Sequence, residues 1–267
     1  MRYYLILFFS LLGSSSFAQI VVIEAEKLSN KTILWAENTQ HCEVSIQLEL
    51  DLKNMEADVD SKVLIIPPLA KKYKLVEIKR KNEGKYGYSY KYISTLGNVT
   101  IQKPDEYVYD LPFEKNKQFT VGQGYLGNFS HQNEYALDFD MPLKTTIVAA
   151  REGTVVSVVQ HFTESCLQES CKQAGNRILI AHADGSFASY VHLFVNGSLV
   201  KVGDKVKKGQ AIGLSGNTGY ASGPHLHFSC FLPRFKDKES FKTKFKINDG
   251  SSIVFLEEKK TYLKLYE

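Results

Sequence analysis

The chain has no Cys-x-x-Cys pair among its four cysteines, no second apolar run of membrane length after its N-terminus, and a net charge of only +4 over 267 residues. The first absence counts against a metal site built on paired cysteines. The second leaves no candidate span beyond the N-terminal run. The third is far too weak for nucleic-acid binding, although it tolerates an anionic polymer. Disorder is not indicated either, because 43% hydrophobic and 23% charged residues are ordinary values for a globular protein.

What is present begins with Arg2, the apolar run Tyr3 to Leu12, and Ser14-Ser15-Ser16-Phe17-Ala18. A charged start, an apolar core too short to span a bilayer and small residues before Gln19 predict a signal peptide over 1–18, cleaved after Ala18. The mature chain is then exported, periplasmic or extracellular, with no integral membrane span. Losing Arg2 lowers its charge to +3. No cysteine lies near the cleavage site to carry a lipid. Cys42, Cys166, Cys171 and Cys230 all enter an oxidising compartment. Cys166 and Cys171 flank a short polar loop and predict a local bridge; pairing of Cys42 with Cys230 follows only by elimination.

Residues 19–101 read as short strands. Val44, Ile46, Leu48, Leu50 and Leu52 alternate onto one face, Pro67-Pro68 stops a strand, and Gly84, Gly87 and Gly97 mark turns. The spacing predicts a β-sandwich. Tyr86, Tyr88, Tyr90 and Tyr92 alternate as well, and tyrosines in such a strand more often pack on a neighbour than stack on sugars. Residues 102–120 turn polar, with Pro104, Pro112 and Glu114-Lys115-Asn116-Lys117, and read as a linker.

Residues 121–232 carry the chemistry. In Pro224-His225-Leu226-His227-Phe228, strand alternation puts both imidazoles on the face opposite Leu226, within reach of one ion. Tyr190-Val191-His192-Leu193 offers a third imidazole. His131 lies on a loop entering the strand Tyr135-Ala136-Leu137-Asp138-Phe139, which turns Asp138 away from its apolar neighbours. Glycines at short intervals from Gly203 to Gly219 suit tight antiparallel hairpins, so the region is antiparallel β. His41, His161 and His182 fall outside these patterns and read as structural or surface residues.

His131 with Asp138, Tyr190-Val191-His192-Leu193, Gly203-Asp204-x-Val206-x-x-Gly209-Gln210-x-Ile212-Gly213, Gly216-x-Thr218-Gly219 and Ser222-Gly223-Pro224-His225-Leu226-His227-Phe228 occur in this order. Together they closely resemble the lysostaphin-type (LytM-like) zinc endopeptidases, which cut peptide cross-bridges of bacterial peptidoglycan. The resemblance covers roughly Val121 to Phe231. It implies an all-β peptidase fold with an antiparallel catalytic sheet, one zinc ion, and a peptidoglycan peptide as substrate in the cell envelope. It also implies His131, Asp138 and His227 as zinc ligands and His192 and His225 as the catalytic pair, with base and oxyanion donor left unassigned between them. The residue chemistry agrees, since three N/O ligands leave one zinc position for water. No histidine is followed by Glu, which excludes the helical His-Glu-x-x-His class and leaves base chemistry to imidazole.

Three features depart from that family. The His131 to Asp138 spacing exceeds the compact His-x-x-x-Asp form, Lys144-Thr145-Thr146 stands where Gly-Thr-Pro is usual, and the Cys166 to Cys171 loop is an insertion at the site's edge. A covering N-terminal segment, a latency device of relatives, would draw a fourth ligand from Asn38 or His41. Residues 233–267 read as a C-terminal β-hairpin extension across Asn248-Asp249-Gly250. Two other readings stand beside the hydrolase: a silent wall-binding or hydrolase-activating scaffold, and an exported peptidase acting on other proteins.

Overall fold

The computed structural model describes residues 20–59 and 62–267, so the signal segment over 1–18 lies outside the described residues. The described chain is built almost entirely from antiparallel strands, with a single short 3-10 turn at Glu169–Gln173 as its helical element. No helix among the described residues is long and apolar enough to cross a membrane.

Strands Val21–Lys27, Lys31–Asn38, Tyr73–Arg80 and Met55–Ala57 form one sheet, and Val63–Ile66, Val44–Lys53 and Gly87–Leu96 form a second. The two share one core, in which Leu34, Val44, Ile46, Ile66, Val76 and Ile78 are fully buried. Each such side chain contributes about 1.5–3 kcal/mol of burial. Tyr88, Tyr90 and Tyr92 pair with Leu52, Leu50 and Leu48 and pack on that core. Only Tyr86 is exposed, beneath the Arg80 guanidinium.

The large sheet runs Lys205–Val206, Gly153–Val159, Arg177–Ala181, Phe187–Val191, His225–Pro233, Ala136–Asp140, Lys117–Gln123, Thr261–Lys264, with Lys238–Phe241 paired beside His225–Pro233. Its two faces differ. Ile178, Ile180, Ala188, Tyr190, Leu226, Phe228, Leu137 and Phe139 form the core. The alternate residues Arg177, Val191, His227 and Asp138 are register partners in one row across four strands and stand on the other face. A small sheet of Thr146–Val148, Ala211–Ser215 and Leu193–Ser198 carries the chain from His192 towards the Gly216–Gly219 loop.

Two sequence expectations are corrected here. The segment 102–120 is not a linker: Tyr109, Leu111 and Phe113 are buried in the main core and Lys117–Gln123 is a strand of the large sheet. Its charged run misled because Glu114 to Asn116 is only the exposed turn between these buried pieces. Nor is 233–267 an appendage. Its hairpin of Lys244–Ile247 and Ser252–Phe255 is present, but Lys244–Ile247 also pairs in parallel with Val108–Tyr109, and Thr261–Lys264 pairs with Lys117–Gln123. Phe245 packs in the core against Tyr109 and Phe228.

Cys166 and Cys171 are bridged. Cys42 and Cys230 are buried free thiols in different clusters, Cys42 beside Val156 and Phe187, Cys230 in the main core. Pairing by elimination fails because burial, not oxidation, accounts for both.

Candidate metal centre

Strand pairing assembles the centre. Asp138 and His227 are direct register partners on neighbouring antiparallel strands, so their side chains rise side by side from the half-buried face. His227 Nδ1 lies 3.0 Å from Asp138 Oδ1. His131 arrives from the loop after Lys117–Gln123 and is fully buried, its Nε2 3.2 Å from both His227 Nδ1 and Asp138 Oδ1.

The loop carrying His131 is held from several sides. Leu126 takes a left-handed conformation, φ 57°, and His131 N–H donates to Gly127 O at 3.1 Å. Gln123 does more, and sequence reasoning missed it. Its amide oxygen accepts from the Phe129 and Ser130 N–H groups, and its Nε2 donates to Ser130 Oγ and, at 3.0 Å, to Asp138 Oδ2. The signal lay in the register, since Gln123 pairs with Asp138 across the sheet, a fact no spacing reveals.

The donor set fits a divalent ion. His131 Nδ1–H donates to Gly124 O at 2.9 Å, which leaves the Nε2 lone pair turned towards Asp138 and His227. All three donor atoms lie within 4.8 Å of one another. Tetrahedral bonds of about 2.0–2.1 Å require ligand atoms roughly 3.3 Å apart, close to the separations found. Protons stand in for positive charge here. Burial opposes ionisation of Asp138, but the adjacent His131 and His227 rings hold its carboxyl well below the usual range. Burial likewise opposes charge on His227, yet Asp138 and Glu134 together push it up to about 9.

Glu134 is a second residue that sequence reasoning missed, hidden in the long spacer between His131 and Asp138. Its carboxylate lies 3.7 Å from His227 Nε2 and pairs with Lys238; burial opposes its charge, but His227 first and then Lys238 hold its pKa down. It therefore braces the nitrogen of His227 that faces away from Asp138.

His192 and His225 flank these three residues, their ring centroids 4.6 Å apart. His225 Nε2 is 3.8 Å from Asp138 Oδ1, and the His192 ring is 5.9 Å from that of His227. Each has its Nδ1–H committed to a carbonyl, His192 to Thr218 O at 2.6 Å and His225 to Gly223 O at 2.8 Å. Both Nε2 atoms are thereby left as the reactive ones. His192 sits at φ 64°, a left-handed conformation that is strained for a residue with a Cβ. Thr218 stabilises it, donating from Oγ1 to Leu193 O and accepting from Asn176 N–H. Burial, then the neighbouring His225 and His227, push His192 down to about 3, so its ring is neutral at physiological pH.

Neither proposed latency ligand reaches this centre. The Asn38 amide is buried and donates to Cys42 O and Pro67 O, and His41 packs against Gly203. His182 is buried elsewhere on Glu152 O, and the His161 ring lies tilted against Phe162.

A cleft of about 670 Å³ lies on one side of the centre, lined by Gln123, Phe129, His192, Tyr220, His225 and Glu258. A second, of about 440 Å³, lies on the other, lined by Glu134, Arg177, Val191, His192, His227 and Lys238. Such a trough exposes an extended segment to the imidazoles on both sides.

Residues 132–239 match the model of Peptidase family M23; the match begins one residue after His131. Over 95 residues the chain is 42% identical to the peptidoglycan DD-endopeptidase ShyA of Vibrio cholerae serotype O1, covering 36% of this chain and 19% of that protein. Over 106 residues it is 40% identical to the glycyl-glycine endopeptidase ALE-1 of Staphylococcus capitis, covering 39% of this chain and 26% of that protein. The chain thus spans about a quarter or less of the length of these curated relatives. The solved catalytic domain of lysostaphin from Staphylococcus simulans is similar at 29% identity, over 47% of this chain and 88% of that one, with a TM-score of 0.35.

Proposed function

We propose that this chain is an exported zinc endopeptidase that hydrolyses peptide cross-links of bacterial peptidoglycan. The observation that carries the reading is the convergence of His131 Nε2, Asp138 Oδ1 and His227 Nδ1 beside two further imidazoles at the floor of an open trough. Similarity to named peptidoglycan endopeptidases supports the substrate class, and the Cys166–Cys171 bridge and the N-terminal sequence support export.

His131, Asp138 and His227 would hold the ion. Zinc bound there supplies Lewis acidity to a peptide carbonyl and lowers the pKa of water towards neutrality. The rest falls to side chains of this chain. His192 and His225, with Nδ1–H tied to Thr218 O and Gly223 O, turn their Nε2 lone pairs to the cleft, where one accepts the proton of the attacking water. An imidazole that carries a proton at Nε2 then donates to the oxyanion growing on the scissile carbonyl. Gln123 and Glu134 keep Asp138 and His227 in place throughout.

The test is release of new amino termini from purified peptidoglycan by the mature protein, with zinc, with chelator, and with His225→Ala. Zinc-dependent release that the substitution abolishes is expected. Stoichiometric zinc binding without release, from the full chain and from a chain beginning near Gln102 alike, would replace the hydrolase by a binding scaffold.

A further inference from the structure

Arg177 is the cation of the cleft that lacks an anion. It stands at the start of strand Arg177–Ala181, on the face of the large sheet that carries the metal centre, in register with Val191 and through it with His227. Two strand spacings put its backbone roughly 10 Å from that of His227, about the span of two to three residues of an extended peptide. Its side chain lines the cleft beside Glu134, Val191 and His227.

The neighbouring cations are already engaged. Lys172 pairs with Glu169 at 2.8 Å, and Lys238 pairs with Glu134. Arg177 forms no ion pair among the described residues; its one hydrogen bond runs from Nη1 to Gly175 O at 3.3 Å. It is half-buried, and burial lowers its pKa from the usual guanidinium value. A guanidinium withdrawn from water without a partner is costly, and its planar fork matches a carboxylate through two parallel N–H···O bonds. At the other end of the trough Asp140, the register partner of His225, is exposed and has no ion pair among the described residues.

We infer that Arg177 forms a carboxylate-binding subsite, which selects peptides bearing a free α-carboxylate on the residue next to the scissile bond over peptides carrying a neutral carboxamide there. The inference deepens the proposed function and rests on it.

The experiment uses the mature full-length chain loaded with zinc and synthetic cross-linked peptides that differ in one group, free acid or primary amide, on either side of the cleaved bond. The acid is expected to be cleaved with a kcat/KM roughly tenfold higher or more at one of the two positions. Arg177→Gln is expected to bring the ratio of acid to amide kcat/KM close to one, with the acid losing more than the amide. Arg177→Lys, which keeps the charge without the fork, restores part of the preference. Equal rates for acid and amide in the wild type, or equal slowing of both by Arg177→Gln, overturns the subsite. Binding of the same peptides to metal-free protein, followed by the Arg177 Nε resonance, separates the two claims. Acid-selective binding with no cleavage of any peptide defeats the hydrolase and leaves the subsite standing, whereas cleavage without acid-selective binding does the reverse.

Discussion

The N-terminal pair of sheets and the large sheet are written in the same alternation and put it to different uses. In strand Val44–Lys53, Val44, Ile46 and Leu48 enter the core while Glu49 and Asp51 face water. In strand His225–Pro233, Leu226 and Phe228 enter the core with the same regularity, but the alternate residues His225 and His227 face neither core nor open water. The loop ending at His131 and the loop from Gly216 to Gly223 stand over that second face and keep it half-buried and polar. The chemistry of the site therefore comes from loops covering a polar sheet face, not from the strands being unusual. A polar face left to solvent makes a stable sheet; one partly withdrawn from solvent must satisfy its polar groups with each other or with an ion.

The sharpest way to break the comparison is His227→Ala. It removes one donor from the centre and is expected to lower kcat/KM by roughly 10³-fold or more, because the remaining two ligands bind metal weakly. Metal content by elemental analysis and the thermal midpoint check it together: metal is lost while the two-sheet N-terminal region keeps its own unfolding transition.

The converse substitution is Ile46→Ala, at a fully buried position of the N-terminal core. A cavity there is expected to cost about 2–5 kcal/mol of stability, read by denaturant unfolding, with metal stoichiometry and kcat/KM unchanged where the fold is intact. Loss of bound metal in this variant would mean that the two regions are not separable in this way.

A finer test lies within the large sheet, where His182 is a buried histidine that serves packing rather than chemistry. Burial is the main cause that pushes its pKa down to about 4, with its Nδ1 held on Glu152 O. Because the unfolded chain binds this proton near pH 6.5, stability falls as pH drops from 6.5 towards 4, by roughly 3 kcal/mol from this group. Below that window the loss is complete, and above it the neutral ring is indifferent to pH. His182→Gln is expected to flatten this part of the stability–pH curve without altering metal content; an unchanged curve would show that the ring is not held neutral.

Much of the candidate site was legible in the sequence because residues that could share an ion must alternate with residues that reach the core. His225 and His227 around Leu226, and Asp138 between Leu137 and Phe139, announce a two-faced strand. The misreadings have a physical reason of the same kind. In segment 102–120 the alternation Tyr109, Leu111, Phe113 is present but short, broken by Pro112 and flanked by charged residues, so it did not read as structure, yet these are among the most buried side chains. Their partner Phe245 lies more than a hundred residues downstream, so the segment is ordered by contacts that local periodicity cannot record.

From its sequence alone this protein's strand character, its two-faced alternation, its candidate ligands His131, Asp138 and His227 and the imidazoles His192 and His225 could be read, because these depend on residue type and on a period of two. Only the tertiary structure decided that Asp138 stands opposite His227, that Gln123 and Glu134 brace them, that Thr218 holds His192 in a left-handed conformation, and that Arg177 is left without an anion beside them. Those relations are set by the register between strands distant in the chain. A shift of one residue would turn His227 into the core and Leu226 into the cleft while changing nothing in the local pattern.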